Sequence, residues 1–171
     1  MAKRVAVIDI GSNSLRMVIY EKTSRFAFHI LYEAKSRVRI SQNAYQNGGN
    51  LQEAPMQRAY DALENFLSII TSFKARKTLC VATSALRDAP NKKEFLNRVK
   101  NGLGLNIKVI DGQRESYLGA IACANLLPEQ QNAFCIDIGG GSTEFALINK
   151  KKYPKKLISK SWDSTSKRAL F

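Results

Sequence analysis

The sequence predicts an α/β fold, a mixed five-stranded sheet with helices packed on it, followed by the first hairpin of a second lobe. Three observations predict it. Strand-like runs rich in Val and Ile come first as a group of three and then alternate with helical patterns. Residues 54–74 carry apolar side chains at helical spacing. The stretch Ile8-Asp9-Ile10-Gly11 recurs as Ile136-Asp137-Ile138-Gly139, offset by 128 positions, and Ser14 is matched by Ser142. A chain of 171 residues holds one such core and the start of a duplicate. The division predicted is residues 1–127 as the first lobe, 128–150 as the opening hairpin of a second, and 151–171 as a basic tail.

The elements follow in order. "RVAVIDI" (4–10) is a buried strand, and "SLRMVIYE" (14–21) returns from it after a Gly-Ser-Asn turn. "FAFHILYEAKSRVRI" (26–40) is a third strand, bent or broken near Ala34, and "NAYQNGGNLQ" is a loop. Pro55 suits a first helical turn, and Met56, Ala59, Tyr60, Leu63, Phe66, Leu67 and Ile70 form the apolar stripe of the helix. "KTLCVATSAL" (77–86) is a fourth strand that runs into a loop near Ser84. "NKKEFLNRVK" (91–100) is a short helix, with Asn91 placed to cap it three residues before Glu94. "LNIKVID" (105–111) is a fifth strand. The helix that starts near Gly112 ends at Pro128, before the hairpin "NAFCIDI" and "TEFALINK".

Composition narrows the setting. No apolar run approaches the ~20 residues of a membrane span, and the N-terminus runs straight into a strand, without the pattern of a signal peptide. Cys80, Cys123 and Cys135 lack metal-type spacing and sit in apolar surroundings, so they read as buried free thiols in a reducing cytosol. A cytoplasmic protein is expected. His29, the one histidine, lies in a strand-like run and reads as structural. The net charge is +13; Lys150, Lys151, Lys152, Lys155, Lys156, Lys160, Lys167 and Arg168 against Asp163 place +7 of it after residue 149 and leave +6 for the body. That moderate excess fits a phosphate-rich ligand and does not indicate nucleic acid.

The motifs carry phosphate chemistry. Glycine turns let backbone N–H groups approach an anion, and Ser142 and Thr143 add hydroxyls; a plain glycine-rich hairpin is the other reading. A strand follows each turn and no Gly-Lys-Ser/Thr is present, so this is not a Walker-type loop. Asp9 and Asp137 either fix the turns or hold hydrated Mg²⁺ between two duplicated lobes. Glu115, in the first turn of its helix, either complements the helix dipole or acts as a general base toward water, with Glu144 the other candidate. Arg87 either grips a phosphate or pairs with Asp88.

Taken together, "VIDIGSNSLRMVIYE", "VATSALRDAPNKKEFLNRV", "VIDGQRESYLGAI" and "IDIGGGSTEFAL" resemble the exopolyphosphatase/guanosine pentaphosphate phosphohydrolase family of the actin-like superfamily, over about residues 4–149. The resemblance implies an actin-like (ribonuclease H-like) lobe and Mg²⁺-dependent hydrolysis of a terminal phosphoanhydride, in inorganic polyphosphate or pppGpp. By motif match Glu115 takes the catalytic place and Glu144 that of a second carboxylate. Arg87, Ser12, Asn13, Gly139, Gly140, Gly141, Ser142 and Thr143 match phosphate contacts, and Asp9 and Asp137 remain the metal candidates. "GQRES" stands where the family has a Glu-Glu-Ala-like run, with Glu115 kept. The partners expected are polyphosphate or pppGpp, with no nucleic acid and no membrane; a homodimer is compatible with this. A phosphate-binding regulator without turnover and a kinase or ATPase of the same superfamily are the alternatives. Family members are longer, so the 171-residue chain is expected to be a truncated form, weakly active or inactive. One codon spelling of Lys160–Phe171, read from its second base, gives the Leu-Gly-Thr-Val-Arg-Leu run with which the family continues. Residues from about Lys151 are therefore expected to be out of frame and to pack poorly.

Overall fold

The computed structural model describes residues 3–24, 27–126, 132–149 and 152–161. The chain divides into two compact units, Met1–Val109 and Ile110–Phe171.

In the first unit the strands are β1 (Lys3–Ile10), β2 (Leu15–Lys22), β3 (Phe28–Ser36), β4 (Lys77–Ala82) and β5 (Ile107–Val109), in the sheet order β3-β2-β1-β4-β5. The β1–β2 and β2–β3 pairs are antiparallel; the β1–β4 and β4–β5 pairs are parallel. The predicted mixed five-stranded sheet is therefore present. Its core face follows from the two-residue period of a strand. Ala6, Ile8 and Ile10 lie opposite Ile19, Met17 and Leu15, and all six are fully buried. Each of the larger side chains among them contributes about 1.5–3 kcal/mol of burial.

Parallel pairing requires crossovers. Helix α1 (Glu53–Ser72) leads into β4, and α2 (Ser84–Arg87) and α3 (Lys92–Leu103) lie between β4 and β5. Both steps move the same way along the sheet, so right-handed crossovers put α1 and α3 on one face. Met56, Ala59, Leu63, Phe66 and Ile70 of α1, and Phe95 and Val99 of α3, accordingly join β1 and β2 in a single core.

Three local readings change. The irregularity of β3 falls at Leu31, where the register against Ile19 and Tyr20 shifts, and not near Ala34. Arg87 closes a single helical turn, α2, where a loop was expected. Asn91 precedes α3 but makes no side-chain cap. Its amide instead brackets the backbone of Leu51, accepting from the N–H at 2.8 Å and donating to the carbonyl at 3.0 Å. A strand-like pair of bonds across the fold competes with the local cap and wins.

The second unit holds α4 (Gly112–Leu126), β6 (Asn132–Ile138), β7 (Ser142–Asn149) and β8 (Lys152–Ser161), the strands forming an antiparallel sheet in the order β6-β7-β8. This meander repeats β1-β2-β3. The division falls ahead of α4, which the sequence reading placed in a first lobe ending at residue 127. The reason is packing: Ala120 of α4 is buried with Ala146 and Ile148 of β7, and Cys123, Ala124, Ala133 and Cys135 lie against them. Residues 152–161, read as tail, pair along β7 as β8; residues 162–171 lie outside the described residues. The opposite face of β6 and β7 leaves Phe134, Ile136, Ile138 and Leu147 exposed. Among the described residues no helix is long and apolar enough to cross a membrane.

Candidate phosphate-handling site

The duplicated motif folds into the same turn twice. In the first unit the Gly11 N–H donates to the Ser14 carbonyl at 3.1 Å; in the second, the Gly139 N–H donates to the Ser142 carbonyl at 2.9 Å. A Cβ on Gly11 would lie 3.3 Å from that carbonyl oxygen and one on Gly139 would lie 3.2 Å from its own. A side chain at either position would therefore press on a backbone carbonyl, and neither glycine adopts a positive φ. Their N–H groups are used inside the turns, so Gly11 and Gly139 shape the loops. After the second turn Ser142 and Thr143 are buried.

The first turn stands at the carboxyl ends of the parallel strands β1 and β4, the edge where open α/β sheets take ligands. Thr83 N–H donates to the Ile10 carbonyl at 3.3 Å and fixes the corner that leads into α2. Ser12 is buried, and its hydroxyl lies 3.1 Å from that of Ser84. Its carbonyl accepts from the Ser41 hydroxyl at 3.2 Å, while Asn13 is exposed and its carbonyl accepts from the Arg39 N–H at 2.9 Å. Ser84 was missed as a site residue. A serine at the end of a strand next to Arg87 was the available signal, but its partner is far away in sequence. Arg87 is largely buried and lies 3.6 Å from Asp88, so the ion pair weighed from the sequence is present. Asp9 is exposed at the same strand end. Burial, with the charge of Asp9, pushes the Cys80 thiol up to about 12.

In the second unit a small open crevice is lined by Glu115, Ser116, Gly119, Cys135, Asp137, Glu144 and Ala146. Helix α4 begins on Asp111, whose carboxylate accepts from the Arg114 N–H at 2.7 Å and whose carbonyl accepts from the Glu115 N–H at 3.0 Å. That fixes Glu115 in the first turn, half-buried. Ser116 is buried and donates to the Phe145 carbonyl at 3.0 Å, tying this turn to β7. Asp137 and Glu144 face each other across the β6–β7 pair; Asp137 is exposed and Glu144 only 2% so. Three carboxylates, Glu115, Asp137 and Glu144, therefore line one crevice. Among the described residues no three Asp, Glu, His or Cys side chains converge as a metal cage. Asp9 and Asp137 lie in different units, so neither unit holds that metal pair by itself.

Of the cysteines only Cys80 is buried; Cys123 and Cys135 are partly exposed, with their sulfurs 3.0 Å apart. Burial, with the Cys123 thiol and Asp137 alongside, pushes the Cys135 thiol up to about 11.

The Ser116 bond gives a direct test of how Glu115 is placed. Ser116→Ala is expected to cost about 1 kcal/mol and to speed hydrogen exchange in β7 about fivefold. Unchanged exchange would show that the bond does not hold the helix.

A family model described as the Ppx/GppA phosphatase family matches residues 18–162. It extends past Lys151 and stops within the segment 160–171 on which the expected frame change was argued. The guanosine-5'-triphosphate,3'-diphosphate pyrophosphatase of Photobacterium profundum is 34% identical over 140 residues, which cover 81% of this chain and 28% of that protein. Among solved structures, the Aquifex aeolicus PPX-GPPA enzyme is 33% identical with a TM-score of 0.82, over 93% of this chain and 52% of that one. An exopolyphosphatase from Cytophaga hutchinsonii is 31% identical with a TM-score of 0.86, over 93% of this chain and 50% of that one. The chain thus spans about half the length of the solved relatives it matches and less of the curated one.

Proposed function

For a chain that belongs to the Ppx/GppA phosphatase family, we propose a role in hydrolysing the terminal phosphoanhydride of inorganic polyphosphate or of guanosine pentaphosphate. The observation that carries this reading is the crevice lined by Glu115, Asp137 and Glu144 beside a glycine turn that the chain builds twice.

In the first unit, Arg87 with Ser12 and Asn13 at the carboxyl edge of β1 and β4 would hold phosphoryl oxygens, a guanidinium matching their geometry. In the second, Gly140, Gly141, Ser142 and Thr143, on the loop shaped by Gly139, would do the same. Glu115 would accept a proton from water as its oxygen bonds to the terminal phosphorus. The bridging P–O bond breaks, and the shortened chain leaves with the bridging oxygen. Glu144, buried in the same crevice and paired across the strands with Asp137, would be the second carboxylate of the site. Asp9 in the first unit and Asp137 in the second would each offer oxygen donors of the kind Mg²⁺ takes, and that ion needs only one or two carboxylates besides water and phosphate. When bound, it would neutralise phosphate charge.

The test is phosphate release from polyphosphate, pppGpp and ATP in parallel, with Mg²⁺, by this chain and by a family-length protein carrying its sequence. Release from polyphosphate or pppGpp is expected of the longer protein, with weak or no release by the shorter. Hydrolysis of ATP alone would overturn the reading in favour of an ATPase. Binding without turnover in the longer protein would favour a regulator. Arg87→Ala is expected to raise KM for long polyphosphate about 10–100-fold, the value of a charged hydrogen bond. An unchanged KM would assign Arg87 to its ion pair with Asp88.

A further inference from the structure

Cys123 and Cys135 have no part in the mechanism above, and their placement is specific. Cys123 lies on α4, where Ser116, Ala120 and Cys123 follow one another at helical spacing along one side of the helix. Ser116 and Ala120 are buried on that side. Cys135 lies on β6, on the same face as Asp137, and lines the carboxylate crevice with Glu115 and Glu144. The two sulfurs, 3.0 Å apart, stand where helix and strand could be joined covalently. Both residues are partly exposed, so a small oxidant reaches them, whereas Cys80 is 4% exposed.

We propose that Cys123 and Cys135 are a reversible modification site, a dithiol that a peroxide converts to an intramolecular disulfide joining α4 to β6 at the edge of the carboxylate crevice. One cysteine sulfur attacks the peroxide O–O bond, giving a sulfenic acid and releasing water. The second sulfur then displaces the hydroxyl from the first as a second water. Two thiols are oxidised by two electrons and one hydrogen peroxide is reduced to two waters. The sulfurs need to close by only about 1 Å to reach bonding distance. The helix so tethered is the one that carries Glu115, and the strand is the one that carries Asp137. The disulfide therefore restricts how far the crevice opens. This inference stands independently of the substrate assigned above.

The experiment treats the intact 171-residue chain with hydrogen peroxide and then counts its thiols after denaturation. The count is expected to fall from three to one. The monomer mass should fall by about 2 Da, a peptide linking Cys123 to Cys135 should appear, and dithiothreitol should restore the starting state. Hydrogen exchange in the last turns of α4 should slow on oxidation and recover on reduction. The proposal is overturned if all three thiols persist, if they are lost only to dimers or to products carrying added oxygen, or if Cys80 is the residue consumed. The readout uses the unsubstituted chain. Cys80→Ser serves as a second form and should lose both of its remaining thiols.

Discussion

Glu115→Gln, made in a family-length protein carrying this sequence, is expected to lower the rate of phosphate release by about 10²–10⁴-fold. Glutamine keeps the shape and volume of the side chain and removes the group that takes the proton. Substrate binding should be nearly unchanged, so the loss should fall on kcat and leave KM in place. Glu115 is preferred to Glu144 for accessibility. Glu115 is half-buried on the first turn of α4, whereas Glu144 is 2% exposed. A water has to reach the base and leave again after each turnover. Normal hydrolysis by the Glu115→Gln variant would move the base to Glu144, and the corresponding Glu144→Gln variant would then lose the activity.

Phe95→Ala should cost the first unit about 3–5 kcal/mol. Phe95 is fully buried on α3, in one core with Ile8, Ile10, Leu63 and Val99. Truncation removes the ring and leaves a void that neighbouring helix and strand backbones cannot close. Domains have only about 5–15 kcal/mol of stability in total, so a large part of it is lost. With a urea slope of about 1–3 kcal/mol per molar, the midpoint should drop by about one molar or more. Leu79→Thr is the comparison. Leu79 lies on β4 and is 43% exposed, and its change should stay within about 0.5 kcal/mol. Equal shifts for the two would mean that the buried face is not the core.

The strands and helices of the first unit were legible because their patterns are local. Alternation at Ala6, Ile8 and Ile10 fixes which face of β1 is buried, and the spacing from Met56 to Ile70 fixes the stripe of α1. The candidate carboxylates were legible too, since Glu115 and Glu144 stand beside recognisable turns, and the fold brings them into one crevice with Asp137. Ser84 was not legible. Its contact with Ser12 exists only because β1 and β4 lie side by side, while the two residues are far apart along the chain.

The sequence by itself determined the mixed sheet, the repeated Gly-x-x-Ser turn and the family, because periodicity and short motifs act within a few residues of themselves. Only the tertiary structure decided that α4 packs with β6 and β7, that Asn91 serves Leu51 in place of capping α3, and that Cys123 meets Cys135. The physical reason is common to all three. Each is a choice between partners that the local chain permits equally, settled by which apolar surfaces can be buried together and which backbone groups then need a hydrogen bond.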